Sequence, residues 1–232
     1  MVATEDLFTP IHKGIRSMIY DLGGRLQSND FADLEASKPL LADLEHELTA
    51  AMSAGCILCL LHEHGADEER DVFPAVGQFD PGLVREFIED HHELARHLGI
   101  LTKMSRDMLT RNDPQERIRF GVELTREAND LFADYQEHMN REERRIVPMM
   151  RMRFTDEQMR TMRGTLMRNM PPPRLEAILR WMLPSLNATE LTGMLGAAKG
   201  TMPPEQFQAL TGLAAKYLAP ERWQMVRQRV GV

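Results

Sequence analysis

Cysteine is nearly absent from this chain of 232 residues: there are two, Cys56 and Cys59, one helical turn apart. That is no disulfide framework of the kind that staples small secreted domains. Aromatic residues make up only 6% of the sequence. No apolar run approaches the roughly 20 residues of a membrane span, which argues against a membrane protein. The opening MVATEDLFTP lacks a basic stretch followed by an apolar one, so no secretion signal is visible and a cytoplasmic location is expected. Positive charge is also short. With 28 Lys and Arg against 35 Asp and Glu, the net charge is −7, which excludes bulk attraction to nucleic acid.

What is plentiful is Leu, Ala, Met, Glu and Arg, a mixture that favours helix. Two stretches stand out within it. LHEHGADEERDVFP, residues 61–74, and HMNREERRIVP, residues 138–148, each place a His and a Glu four residues apart. The pairs are His64/Glu68 and His138/Glu142, each followed directly by a second acid, Glu69 or Glu143, and by a Pro ten residues after the His. On a helix, positions i and i+4 share a face one turn apart, so each pair can aim an imidazole and a carboxylate at a common point. Nitrogen with carboxylate oxygen suits a divalent transition metal.

The periodicity predicts four long helices. The first runs from about Thr4 to Leu26, with a stripe of Phe8, His12, Ile15, Ile19, Leu22 and Leu26; Gly23-Gly24 weakens its end. After a connection, a second starts near Pro39 and continues to about Phe73, with Leu44, Leu48, Ala51, Ile57, Leu61, His64, Glu68 and Val72 on one side. The third begins at Pro81 and carries Leu83, Phe87, His91, Leu94, Leu98, Leu101 and Met108. The fourth runs from Pro114 to about Met150 through Leu124, Ala128, Leu131, Tyr135, His138, Glu142 and Ile146. Each apolar stripe is interrupted by His, or by His and Glu. A buried ionisable group without partners costs several kcal/mol, so a matched set calls for a shared partner. Short connections favour an up-down-up-down bundle, and at 1.5 Å rise per residue all six interruptions then fall roughly 8–18 Å from the same end.

At this point the residues resemble the hemerythrin-like, or HHE cation-binding, family: PIHKGIR around His12, HGADEERDVFP, DHHEL around His91, and HMNREERRIVP. The resemblance covers about residues 5 to 153. It implies an all-α four-helix bundle over residues 1–153, holding a non-haem di-iron centre with an oxo, hydroxo or water bridge. His12, His64, His91 and His138 would be nitrogen ligands, and Glu68 and Glu142 would supply bridging carboxylates. Oxygen-carrying members have a further His four residues beyond the third-helix ligand, where this chain has Ala95. An open coordination position there suits a reactive or sensing site. The expected function is response to iron and to oxygen or peroxide, as a sensor or weak oxidase or peroxidase. The alternatives are a carrier or store of oxygen, nitric oxide or iron, and an interaction module in which metal only staples the bundle.

The other candidates read as structural. His92 shares its side with Arg85 and Arg96, and His46 and His97 read as surface or boundary residues. His62 lies on a different face from His64. Glu69 and Glu143 are placed to orient a ligand imidazole through its other nitrogen. Tyr135 stands one turn before His138, either near the metals or in plain core. Cys56, Cys59 and His62 have zinc spacing, but inside a continuous apolar helix they read as small buried side chains. Residues 154–232 form shorter helical pieces with Asn187 or Thr189 as an N-cap, dense in Met, with no ligand-spaced cluster. They are expected to pack on the bundle or to mediate partner contact or self-association. RLEAILRWMLPSLNATELTGML faintly resembles the segment after hemerythrin-like repeats in plant iron-regulated ubiquitin ligases; no RING-type cysteine pattern accompanies it.

Overall fold

The computed structural model describes residues 5–45 and 56–232, and every regular element among them is helical. Eleven helices follow in order: α1 Thr9–Ser28, α2 Leu34–Asp43, α3 Ile57–Asp71, the single turn α4 Phe73–Val76, α5 Pro81–Leu109, α6 Pro114–Arg153, α7 Asp156–Asn169, α8 Pro172–Ser185, α9 Ala188–Thr201, α10 Pro204–Tyr217 and α11 Pro220–Val230. The expected stripes face inward. Phe87, Leu94, Leu98 and Leu101 of α5 are buried, as are Leu124, Ala128, Leu131, Tyr135 and Ile146 of α6. Burial of each large apolar side chain is worth about 1.5–3 kcal/mol, which is what drives these faces together.

Helix starts are set by short acids. Asp80 accepts from the Leu83 amide at 2.8 Å and Asp113 from the Gln115 amide at 3.1 Å, each with Pro in the first turn. The same chemistry moves two expected boundaries. Asp6 accepts from the amides of Phe8 and Thr9, both at 3.0 Å, so α1 begins at Thr9 rather than near Thr4. Asp33 caps Leu34, so α2 begins before Pro39, which lies inside it. Gly23-Gly24 does not end α1, because buried Leu22 and Leu26 hold the next turn against the core.

The single second helix expected from Pro39 to Phe73 is not continuous. α2 ends at Asp43, and α3 starts at Ile57 with Cys56 extended at its N-cap (φ −76°, ψ 130°). His46, Leu48 and Ala51 lie outside the described residues.

The buried apolar side chains fall into three clusters. One, including Ile15, Leu22, Leu61, Leu98, Leu131 and Tyr135, fills the bundle. A second gathers Phe8, Val72, Phe73, Phe87, Ile146 and Met159. The third belongs to the C-terminal helices, from Leu179 through Leu195 to Val226. α8 joins this last group to the bundle by lying along α1. A Cβ on Gly14 would come within 3.0 Å of the Met182 backbone, so the two helices approach at a contact only glycine permits. The buried Arg174 of α8 pairs with Asp67 and Glu63 of α3. Asn187 is the N-cap of α9, in a reciprocal box with Glu190. Trp181 and Trp223 are half-buried against the cores.

At the far end of the bundle, Arg117 is buried and ties two loops together through the carbonyls of Phe31, Ala32, Arg111 and Asn112. Gly121, one turn later, lies beneath Phe31: an added Cβ would stand 2.2 Å from the ring. Gly121→Ala is therefore expected to cost about 1–3 kcal/mol by overpacking, read as a lowered melting temperature with metal content unchanged. A melting temperature equal to that of the parent would contradict it.

Candidate metal centre

Between the bundle cluster and the Phe8/Phe73/Phe87/Ile146 cluster lies one polar layer. His12 in the first turn of α1, His64 and Glu68 of α3, His91 in the third turn of α5, and His138 and Glu142 of α6 meet there, all buried. The apolar rows above and below explain why each stripe is broken only once or twice.

The six side chains divide into two groups of possible ligands, His12/His64/Glu68/Glu142 and Glu68/His91/His138/Glu142, with the ligand atoms of each group within 4.8 Å of one another. Both glutamates belong to both groups, one oxygen toward each. Glu142 turns Oε2 to His12 Nε2 at 3.4 Å and Oε1 to His138 Nε2 at 3.3 Å. Glu68 turns Oε1 to His64 Nε2 at 3.2 Å and Oε2 to His91 Nε2 at 3.4 Å. His91 and His138 approach Nε2 to Nε2 at 3.0 Å. Two imidazole nitrogens that close, with carboxylate oxygens from both sides, make a ring of atoms aimed at a common centre.

His12 Nε2, His64 Nε2 and all four oxygens of Glu68 and Glu142 are buried without a hydrogen-bond partner. Buried polar atoms are almost always satisfied, and orphaned ones cost about 1–3 kcal/mol each. Nitrogen and carboxylate lone pairs converging in a dry layer are the donor set of a divalent transition metal, and these residues fit one.

A second ring of side chains fixes the imidazoles from outside. His12 Nδ1 donates to Glu143 at 2.9 Å, and Glu143 also accepts from Arg16 at 2.8 Å. His91 Nδ1 donates to Glu69 at 2.8 Å. His138 Nδ1 lies 3.3 Å from Asp90, which is held by Arg141. Each contact sets the tautomer that presents Nε2 to the centre. Glu69 and Glu143 thus stand where the sequence spacing placed them. Asp90, the Asp of DHHEL, has no ligand spacing to mark it in the sequence and only its adjacency to His91 points to it. Phe73 stacks on the His91 ring at 5.5 Å, and a Cβ on Gly65 would meet the same ring at 3.2 Å, so His91 is packed between α3 and the turn after it.

Among the described residues, the remaining histidines stay out of both groups. His92 is exposed, His62 is half-buried on another face, and His97 pairs with Glu127 at 2.8 Å. Tyr135 is buried; its hydroxyl donates to the Leu61 carbonyl and braces α3, while its ring packs edge-on against His138 at 6.2 Å. Cys56 is the N-cap of α3 and not part of a continuous helix.

Without a metal the layer titrates in opposing directions. Burial opposes charge on His12 and His138, but Glu143, Glu68 and Glu142 outweigh it for the first and raise it to about 9. Glu142 and Asp90 do the same for the second and raise it to about 10. Burial drives His64 down to about 3. Burial and the neighbouring Glu68 push Glu142 up, while Glu68 is held down, against its burial, by the surrounding imidazoles. Groups raised from 6.5 to about 9 and about 10 stabilise the fold fully below pH 6.5 and lose that contribution as pH rises through those values. Metal-depleted protein is therefore expected to melt at progressively lower temperature from pH 7 to 10, and metal to bind more tightly over the same range as protons cease to compete. A flat or rising melting profile for the depleted protein would contradict this.

The hemerythrin HHE cation-binding domain model matches residues 5–150, the part of the chain that carries all six side chains. The chain belongs to the hemerythrin HHE cation-binding family. No curated protein and no solved structure matches it. In this hemerythrin-like chain the buried His/Glu layer, whose residues could hold a metal ion, lies within the matched residues, and no helix among the described residues is long and apolar enough to cross a membrane.

Proposed function

We propose that His12, His64, Glu68, His91, His138 and Glu142 hold two iron ions, and that the protein responds to iron and to oxygen or peroxide as a sensor or weak oxidase or peroxidase. The observation that carries this reading is the pair of two-His, two-Glu groups that share both glutamates. A single cation held by one group would leave one pair of imidazoles unused; two cations, one held by each group, would engage all six orphaned atoms of the layer. When bound, ferrous iron would supply electrons to a small oxidant through an open coordination position.

The chain's own residues support an opening on one side. Ala95 stands where the oxygen carriers have a further imidazole, and it lines a pocket of about 260 Å³ with Gly65, Ala66, Leu94, Glu69 and His91. That pocket reaches the His91/His138 half of the layer and not the His12/His64 half. Glu143, Glu69 and Asp90 lie at the outer nitrogens of His12, His91 and His138 and turn their Nε2 atoms inward, and Phe8, Phe73 and Phe87 pack on the same three rings. Residues 154–232 would clamp the bundle through α8 and offer their outer helices to a protein partner or a second copy.

The test is iron content and the visible spectrum of protein prepared without oxygen and then exposed to it. Bound iron with an oxygen-dependent band, and consumption of oxygen or peroxide, support the reading. A fully reversible band without turnover would replace it with carriage, and absence of bound iron would end it.

A further inference from the structure

Cys56 and Cys59 were expected inside a helix, where side chains three apart keep their Cβ atoms about 5–6 Å from each other. A disulfide needs about 3.5–4.5 Å, so a helical pair of that spacing cannot close. The structure puts Cys56 outside helical geometry, extended at the N-cap of α3, with its sulfur folded back to accept the Cys59 amide at 3.3 Å. Both sulfurs turn to one acceptor, the Glu45 carbonyl; Cys56 Sγ donates to it closely and Cys59 Sγ lies 3.6 Å from it. Cys56 is half-buried and Cys59 buried, so the first of the two is the more accessible residue.

From this arrangement we infer that Cys56 and Cys59 form a reversible dithiol–disulfide switch at the head of α3, oxidised by exchange with a small organic disulfide. Cys56 gives its proton to solvent, and its sulfur attacks one sulfur of the small disulfide. The sulfur–sulfur bond of the reagent breaks, and its released thiolate takes up a proton. Cys59 then loses its proton and attacks the Cys56 sulfur of the mixed disulfide, expelling the second small thiol. Two protein thiols are oxidised and one small disulfide is reduced to two thiols.

Closure removes both S–H donors from the Glu45 carbonyl. It thus unties the chain just after α2 from the start of α3, the helix that carries His64 and Glu68. The hydrogen bond with Cys59 and then burial raise the Cys56 thiol well above its ordinary range. Exchange is therefore slow near neutrality and faster as pH rises, which suits a slow switch rather than a rapid oxidoreductase.

The test equilibrates the full-length protein, with and without bound metal, in buffers of reduced and oxidised glutathione, followed by acid quench, alkylation and mass analysis. Expected is a species lighter by two hydrogens that takes up no alkylating reagent and reverts with excess reduced glutathione. Cys59→Ser is expected to stop at a glutathione adduct on Cys56, and Cys56→Ser to form no disulfide. Serine keeps a capping oxygen at the helix start, so Cys56→Ser is expected to fold. Both thiols remaining alkylatable at every ratio, or a separate adduct on each cysteine, would overturn the inference. Because the metal-depleted protein is included, loss of the switch is distinguishable from loss of iron.

Discussion

Glu142→Ala is expected to empty both halves of the centre, whereas His91→Ala is expected to weaken chiefly one. The difference lies in how the oxygens are shared: Glu142 faces His12 with one and His138 with the other, while His91 belongs to a single group. Loss of an outer partner of a metal ligand commonly lowers affinity by 10–100-fold, and loss of a shared carboxylate should exceed about 100-fold. Metal analysis after reconstitution with ferrous iron under argon reads this directly. Full iron in Glu142→Ala would refute the sharing; equal depletion in the two variants would show that the halves do not fill separately.

Arg174→Ala is expected to cost about 3 kcal/mol, the low end for breaking a buried ion pair by removing one partner. Arg174 is buried between Glu63 and Asp67, and Asp67 itself is only 4% exposed. Arg70, at 2.7 Å from Asp67, remains to offset part of the stranded charge. The more exposed pair between Lys13 and Glu190, which also joins the bundle to the C-terminal helices, should contribute well under about 1 kcal/mol, so Lys13→Ala is the control. Chemical denaturation of both variants measures the contrast. Asp67 precedes Glu68, so losing α8 should also lower iron retention. A change within about 0.5 kcal/mol in Arg174→Ala would mean that α8 is held by its apolar contacts with α1 alone.

Much of the centre was legible because helical periodicity turns an inward-facing polar residue into a visible interruption of an apolar row. His12, His64, Glu68, His91, His138 and Glu142 each break such a row, and all six meet. Glu69 and Glu143 could be placed one step behind because adjacent residues on a helix are turned by a fixed angle. Asp90, Arg16 and Arg141 were not legible in the same way: they reach imidazoles or carboxylates on other helices, and no spacing within one segment encodes that reach. The break at Cys56 was hidden too, since apolar residues on both sides of it carry the periodic pattern through a point where the backbone leaves the helix.

Local sequence thus determined the helices, their buried faces and the kinds of atom offered to a cation, since these depend on residues three and four apart. Tertiary packing alone decided that each shared glutamate turns one oxygen to each pair of imidazoles. It also decided that Ala95 opens a pocket on the His91 side, and that Arg174 of the last third of the chain reaches Asp67 beside the centre. Those outcomes depend on helix rotation and separation, quantities set by the sum of contacts across the core and by no single stretch of chain.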